Sequence, residues 1–332
     1  MEPADLMSDI PPISITVTDQ DADMRLDRML RKRFPGLTQG VIEKALRTGK
    51  IRIDSTRIKA SYRLKADEMI TLPVAIAEHS KAALATPQKS SAKPASKALI
   101  ATLRGAVISQ TDDYIAINKP GGLAVQGGTG TSEHVDGGIA AAFPDGKKPL
   151  LVHRLDRDTS GVLVLAKHGR AARQLAKGFQ SRHHGKIYLA LVAGRPKELA
   201  GVIKAPLIKS GSHGNEKMVV DDMRGDHAET IFECLDSIGG KVSLMQLEPL
   251  TGRTHQLRAH MIALGCPILG DGKYGGADAF PNAQVTRLCL HAVRLDLADE
   301  LPIIADLPHD LVAIMTFFDF DPLAVMDMIR HK

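Results

Sequence analysis

A segment of low sequence complexity limits how this chain can fold. Residues 78–98 read EHSKAALATPQKSSAKPASKA, which is rich in alanine, serine, lysine and proline and has no large apolar residue after Leu84. Such a composition cannot bury enough apolar surface to offset the conformational entropy lost on ordering. The segment therefore predicts a flexible, basic linker between two folded parts, which agrees with a prior of about two domains for a chain of 332 residues.

The rest of the sequence divides around this linker. We predict an N-terminal tail at residues 1–21, a small domain at 22–77 and a larger domain at 99–332. The larger domain has many apolar segments of strand length, such as YIAINKP and GVLVLAK, and few helical segments between them. This pattern predicts an α+β fold in which flanking helices pack on a mixed, largely antiparallel sheet.

The small domain is predicted to contain two helices followed by strands. RLDRMLRKRFPG has apolar residues at helical spacing and ends in a Pro-Gly stop, and Thr38 can cap a second helix in TQGVIEKALRTGK. IRID and STRIK predict the two arms of a hairpin that turns at Asp54 and Ser55. The segment SYRLKADEMITLP predicts one more strand.

The basic charge of the chain is concentrated in this small domain. Between Met24 and Lys65 there are 13 lysines and arginines against 3 acidic residues, although the net charge of the whole chain is only +5. Charge of one sign in a short segment is typical of a polyanion-binding surface, and the alternative is a solvated basic face. We expect the small domain to bind RNA through basic side chains: Arg25, Arg28, Arg31, Lys32, Arg47, Lys50, Arg52, Arg57 and Lys59.

Several other classes of protein are disfavoured by the sequence. The three cysteines form no CxxC pair and the 13 histidines are scattered, so we predict a reduced, cytoplasmic protein without a metal site. No apolar run approaches the ~20 residues of a membrane span, and the acidic N-terminus lacks the apolar core of a signal peptide. The GGTG segment at 127–130 lacks the Lys-Ser/Thr tail of a phosphate-binding loop.

The strongest chemical signal is LVHRLDRDTSGVLVLAK at residues 151–167. It places two carboxylates, Asp156 and Asp158, in a charged loop directly before a strand expected to be buried. A general acid and base pair would have to face each other across a substrate, at least ~5 Å apart, which neighbouring positions on one loop disfavour. The spacing favours one nucleophilic and one structural aspartate.

HRLDRDTSG resembles the signature of the RluA-type family of pseudouridine synthases. KIYLALVAG, TGRTHQLRAHMIALGCPILGDGKYG and RLCLHAVRLDL resemble later motifs of the family in the expected order, so that together with INKPGGLAVQGGTG the resemblance covers about residues 105–300. Residues 24–73 resemble the alpha-L RNA-binding domain, named after a small-subunit ribosomal protein. This layout and the GGTG segment favour the RluC-like branch, which acts on the large ribosomal subunit.

The resemblance implies that the chain isomerises uridine to pseudouridine in RNA. Asp156 would attack the nucleotide, Tyr188 would stack on the target base and is expected to help remove the C5 proton, and Arg258 would pair with the aspartate. Arg154 would act as a wedge while the base is flipped out of its stack. Isomerisation adds and removes nothing, so no metal, nucleotide or redox cofactor is required.

Further residues of these motifs are given smaller roles. Lys186, Asp158 and Tyr274 are interpreted as structural. Arg253 and His255 are candidates for lining the path of the RNA.

Three functions stay compatible with the sequence. The favoured one is a monomeric, cytoplasmic isomerase that acts on 23S ribosomal RNA, free or in a pre-50S particle. The second is an RNA-binding assembly factor without chemistry, which the presence of Asp156, Tyr188 and Arg258 disfavours. The third is the same enzyme acting on transfer RNA, which the alpha-L domain and the linker disfavour.

Overall fold

A computed structural model describes residues 12–19, 21–76, 78, 94–128, 131–180, 184–212, 216–298 and 300–332. The chain separates into two compact units, Met1–Ser91 and Ala92–Lys332. Most of the predicted linker and the first half of the predicted tail lie outside the described residues, as does the end of the GGTG segment. The sequence-derived domain boundaries therefore remain a proposal.

Among its described residues, the small unit has two complete helices and a three-stranded antiparallel sheet. In this sheet, the third strand of the unit lies between the first and the second. Thr38 accepts a hydrogen bond from the backbone N–H of Val41 at the start of the second helix, as the capping prediction requires. The elements are β1 (Ile13–Thr16), α1 (Leu26–Arg33), α2 (Gln39–Arg47), β2 (Arg52–Ile53) and β3 (Met69–Leu72).

Strand β1 falls inside the segment 1–21 that was predicted to be a tail. Its residues Ile13 to Thr16 pair with Leu72 to Met69 of β3. Ile15 and Val17 are buried in the core of the small unit. The alternating apolar residues of ISITV therefore extend this unit towards the N-terminus, and the tail is shorter than predicted.

The turn at Asp54 and Ser55 differs in part from the predicted hairpin. Both residues have positive φ, 44° and 67°, as the two central positions of a type I′ turn require. The second arm is limited to a bridge between Ile53 and Thr56, so a strand over STRIK is wrong. Ile58 and Ala60 pack on the core of the small unit instead of extending the sheet.

The large unit is built on a ten-stranded sheet with helices on its faces. The strands are β4 (Val107–Gln110), β5 (Tyr114–Lys119), β6 (Leu150–Leu151), β7 (Ser160–Ala166), β8 (Gly185–Ala193), β9 (Ala200–Lys204), β10 (Leu207–Ser210), β11 (Lys217–Val220), β12 (Glu229–Ile238), β13 (Val242–Pro249), β14 (Leu290–Asp296) and β15 (Ile303–Ile304). The order in the sheet is β4-β5-β7-β14-β8-β13-β12-β9, with β6 paired to β7 and β15 to β14, while β10 and β11 form a separate hairpin.

The helices confirm the predicted α+β class. Among the strand pairings of the described residues only β7 with β14 is parallel, so the sheet is mixed and largely antiparallel.

Within the described ranges, no helix has both the length and the apolar character needed to cross a membrane. The helices are α3 (Lys97–Gly105), α4 (Val135–Ala142), α5 (Gly169–Gln180), α6 (Gln256–Ala263), α7 (His309–Phe317) and α8 (Pro322–His331).

Strand β7 is buried on both faces, as its continuous apolar sequence predicts. Leu163 and Leu165 point to one face, where the core includes Leu103 of α3. Val162 and Val164 point to the other face, where the core includes residues of α5. The loop at residues 152–159 that precedes β7 is therefore attached to a strand that is packed on both faces.

Gly161 allows β7 to lie unusually close to β14. It has φ +114°, and a Cβ at this position would collide with the carbonyl oxygen of Ala292 on β14. Only glycine combines this conformation with so close an approach. The glycine at the end of HRLDRDTSG therefore fixes where the loop before it emerges from the sheet.

Candidate active site

The loop at 152–159 borders a cavity of about 500 Å³. Strand β8, the end of β13 and the start of α6 contribute to its wall, together with Gln126, Phe179 of α5 and Leu290 of β14. Three residues predicted to be catalytic from the sequence, Asp156, Tyr188 and Arg258, all line this cavity. The predicted wedge, Arg154, is exposed and also lines it.

Arg258 contacts two carboxylates, and the closer one was not predicted. Its Nη1 lies 3.6 Å from Oδ2 of Asp156. Its Nε and Nη2 donate to the two oxygens of Asp271 at 2.8 and 2.7 Å, a bidentate and buried contact. Burial alone would lower the pKa of Arg258, but the hydrogen bonds and charge of Asp271 raise it. Asp271 therefore holds the guanidinium in place, charged, with one nitrogen facing Asp156.

Tyr274 supports the same guanidinium from one side. The Cζ atom of Arg258 lies 4.9 Å from the centroid of the Tyr274 ring, within the range of a cation–π contact. The backbone N–H of Tyr274 also donates to Asp271 at 3.1 Å. Asp271 and Tyr274 both belong to the motif GDGKYG. Their contacts with Arg258 were not predicted from the sequence.

His255 lies at the start of α6 in a left-handed conformation, with φ +50°. Its Nε2 is 4.0 Å from Oδ2 of Asp156, and its Nδ1 is 2.9 Å from the hydroxyl of Tyr274. That hydroxyl accepts the backbone N–H of Met218, so its own proton is available to Nδ1. Burial lowers the pKa of His255, which favours this neutral form. A strained histidine is thus placed beside the carboxylate.

Tyr188 lies on β8, between Leu247 of β13 and Ala292 of β14. Burial, and then the negative charge of Asp156, raise the pKa of Tyr188, so its phenol stays protonated at neutral pH. A protonated phenol is a good stacking surface but a poor base. The environment of Tyr188 therefore favours stacking over removal of a proton.

Lys119 ties the loop at 152–159 to the neighbouring segment of the chain. It is fully buried at the end of β5. Its ammonium donates to the carbonyl oxygens of Pro120, Leu123 and Arg157 at 2.8, 2.8 and 3.0 Å. Burial lowers the pKa of Lys119 to about 7. The three carbonyl acceptors match the three N–H donors of the charged ammonium form.

Replacing Lys119 by methionine should lower the free energy of unfolding by about 3 kcal/mol, because three carbonyl acceptors would lose their buried donor at roughly 1 kcal/mol each. Urea unfolding of the full chain would measure this loss. The control is Lys97→Met, which removes an exposed lysine at the start of α3 and should change stability by about 0.5 kcal/mol or less. Equal stability of the two variants would contradict the structural role of Lys119.

The C-terminal motif RLCLHA fixes the other end of the same loop. The buried His291 lies 2.8 Å from the hydroxyl of Ser160 through Nδ1 and 3.2 Å from the carbonyl of Ala305 through Nε2. Burial lowers the pKa of His291 to about 4, so the ring is neutral; its Nε2–H then donates and its Nδ1 accepts. Arg287 donates to the same hydroxyl at 2.6 Å. The motif therefore positions Ser160.

The basic residues predicted to bind RNA are all exposed on the small unit. Two of them have carboxylate partners: Arg25 pairs with Asp27 at 2.8 Å, and Lys32 pairs with Asp21 at 2.9 Å. Exposure makes all nine available to phosphates, but the paired ones are partly neutralised. The predicted residues are Arg25, Arg28, Arg31, Lys32, Arg47, Lys50, Arg52, Arg57 and Lys59.

Comparison with known proteins gives consistent matches. The family described as RNA pseudouridylate synthase matches residues 113–263, which include the loop before β7 and end with α6. Ribosomal large subunit pseudouridine synthase C of Rickettsia typhi is 35% identical over 283 residues, covering 83% of this chain and 90% of that protein. The protein of the same name from Escherichia coli K12 is 34% identical over 297 residues, covering 87% and 90%.

A solved structure supports the same relationship. Human RNA Pseudouridylate Synthase Domain Containing 4 superimposes with a TM-score of 0.59 at 28% identity, covering 68% of this chain and 97% of that one. The similarity therefore concerns both sequence and fold.

Proposed function

The chain belongs to the RNA pseudouridylate synthase family, and we propose that it uses Asp156 to isomerise uridines of large-subunit ribosomal RNA. The observation that carries this proposal is the position of Asp156 in the cavity, with its carboxylate 3.6 Å from the guanidinium of Arg258. The proposal for the substrate rests on the names of relatives that match most of the chain.

In the proposed reaction, the target uridine leaves its stack and enters the cavity. Arg154 replaces part of the lost stacking, which amounts to a few kcal/mol. Asp156 attacks the nucleotide and the C1′–N1 bond breaks. The uracil turns and bonds to C1′ through C5, after which C5 loses its proton, N1 gains one and Asp156 is released. All atoms of the uridine are kept, apart from the hydrogen exchanged at C5.

The surrounding residues would make this reaction possible by charge and shape. Arg258 favours the ionised, nucleophilic form of a carboxylate in a partly dry cavity, and Asp271 prevents the guanidinium from collapsing onto that carboxylate. Tyr188 offers its ring to the flipped base in place of the stacking lost in the RNA. The base must still turn, so a flat surface suits it better than a set of fixed hydrogen bonds.

The proposal is tested by offering the purified protein three substrates: a full-length large-subunit RNA transcript, precursor large-subunit particles from a strain lacking the gene, and unmodified transfer RNA. Because the isomer has the same mass as uridine, the product is measured by nucleoside chromatography after complete digestion. Pseudouridine in either ribosomal substrate supports the proposal. Pseudouridine in transfer RNA alone would replace the proposed substrate, and its absence from all three would contradict the activity.

We also propose that the small unit supplies affinity for RNA rather than chemistry. Replacing Arg28 and Arg47 together by alanine should weaken binding and reduce the salt dependence of log K by about 1 to 2, as expected if each contacts one phosphate. Isomerisation at saturating RNA should be unchanged. Binding is measured at several salt concentrations.

The control for this variant is Lys241→Ala. Lys241 precedes β13, whereas the cavity lies at Pro249 at the other end of that strand. An unchanged salt dependence in the double variant would contradict the role of the small unit.

We further propose that the protein acts in the cytoplasm as a monomer. Light scattering of the protein with and without RNA would check the oligomeric state.

A further inference from the structure

Lys186 is a cation that lines the active-site cavity and takes no part in the proposed reaction. It precedes Tyr188 by two residues on β8, so both side chains point to the same face of the strand and both line the cavity. Lys186 is half-buried, and burial alone lowers its pKa. Within the described part of the chain, no carboxylate forms an ion pair with it.

His153 provides a second donor beside this lysine. The backbone N–H of Val164 donates to its Nε2 at 2.8 Å. Burial, and then the positive charge of Lys186, lower the pKa of His153 to about 3, so the ring is neutral and its proton lies on Nδ1. That N–H donates to no acceptor among the residues that the structure describes. Its ring is held by stacking on Phe179, with centroids 4.5 Å apart.

Two groups of residues that line the cavity therefore differ in their charge. Arg258 is neutralised by the two carboxylates of Asp156 and Asp271. Lys186 and His153 provide hydrogen-bond donors and a positive charge without a matching carboxylate. A half-buried ammonium is stabilised far more by an anion than by a neutral acceptor.

The substrate of this enzyme carries an anion at a suitable distance. Lys186 and Tyr188 are about 7 Å apart along the strand, which is within the reach of one nucleotide. A uridine whose base stacks on Tyr188 has a phosphodiester on each side of its ribose. The carbonyl groups of uracil could also accept hydrogen bonds, but they would leave the charge of Lys186 without a counterion.

We propose that Lys186, together with the Nδ1–H of His153, binds a phosphodiester next to the target uridine and so holds the flipped nucleotide in the cavity. This inference rests on the proposed function. It assigns to Lys186, interpreted from the sequence as structural, a direct contact with the substrate. The contact would form when the flipped nucleotide enters the cavity that this lysine lines.

The test compares Lys186→Met with Lys186→Arg in the full chain, using a ribosomal RNA transcript that the wild-type protein modifies. Lys186→Met should raise KM about tenfold, leave kcat within about threefold, and reduce the salt dependence of log(kcat/KM) by about 0.7 to 0.9, the effect of one lost phosphate contact. Lys186→Arg keeps the charge and should restore most of the salt dependence. Lys241→Met is the control for removal of a lysine distant from the cavity.

Two results would overturn the phosphate contact. One is a KM and salt dependence of Lys186→Met equal to those of the wild type. The other is a fall in kcat with an unchanged salt dependence, which would mean that Lys186 contacts the base or supports the fold. Failure of the wild-type protein to form pseudouridine would instead overturn the proposed function, so the two failures are distinguished.

Discussion

Replacing Asp156 by asparagine should abolish pseudouridine formation and leave RNA binding intact. The amide has nearly the same shape but is neither charged nor nucleophilic, so the step that breaks the C1′–N1 bond has no attacking group. We expect the rate under single-turnover conditions to fall by ~10⁴-fold or more. Binding should persist, because the variant removes a negative charge from a surface that receives a polyanion.

The matched control is Asp158→Asn on the same loop. Asp158 is exposed, and the spacing of the two aspartates favours a structural role for it. Nucleoside chromatography after single-turnover reactions, together with filter binding, should separate the two variants: Asp158→Asn within about threefold of the wild type, and Asp156→Asn without product. Equal loss in both variants would indicate that the loop as a whole, and not one carboxylate, is required.

Replacing Asp271 by asparagine should reduce kcat by about 100-fold, although Asp271 lies behind Arg258 and not next to the substrate. The amide NH₂ would face the N–H groups of the guanidinium, so one of the two hydrogen bonds at 2.8 and 2.7 Å would become a contact between donors. Arg258 would then shift relative to Asp156, and a misplacement of about 1 Å can cost that much in rate.

This variant also requires a control for stability, since breaking a buried ion pair can cost about 3–5 kcal/mol. Assays are therefore made at a temperature where circular dichroism shows the variant to be folded. Asp310→Asn removes an exposed carboxylate that lies 2.9 Å from the mostly buried Arg287, and it should leave kcat within about threefold. A folded Asp271→Asn protein with wild-type kcat would contradict the role of Asp271 in positioning Arg258.

The sequence predicted the elements of the large unit better than the contacts between them. The apolar run GVLVLAK corresponds to β7, and the alternating segment YIAINKP corresponds to β5. Such strands can be predicted because burial of a strand leaves a direct pattern of apolar residues in the sequence, either a continuous run or an alternation. Strand β1 was missed because a four-residue strand in an acidic, otherwise unpatterned segment gives little signal. Its role depends on pairing with β3, more than fifty residues away.

The same limit applies to the candidate site. Asp156, Tyr188 and Arg258 belong to motifs that were recognised, and the structure brings all three to one cavity. Asp271 and Lys186 are in recognised motifs too, but their importance depends on which charges they meet after folding. The bidentate contact of Asp271 with Arg258 and the missing counterion of Lys186 exist only in the folded cavity. They cannot be predicted from the spacing of residues along the chain.

The most direct test of the central claim uses large-subunit ribosomal RNA transcribed with tritium at C5 of uracil. Forming the C1′–C5 bond must release that tritium to water, so release measures the isomerisation itself. We expect release by the wild-type protein, at a yield that matches the pseudouridine found, and none by Asp156→Ala. Release by both proteins would contradict the role of Asp156 as nucleophile, and release by neither would contradict the isomerisation of this RNA.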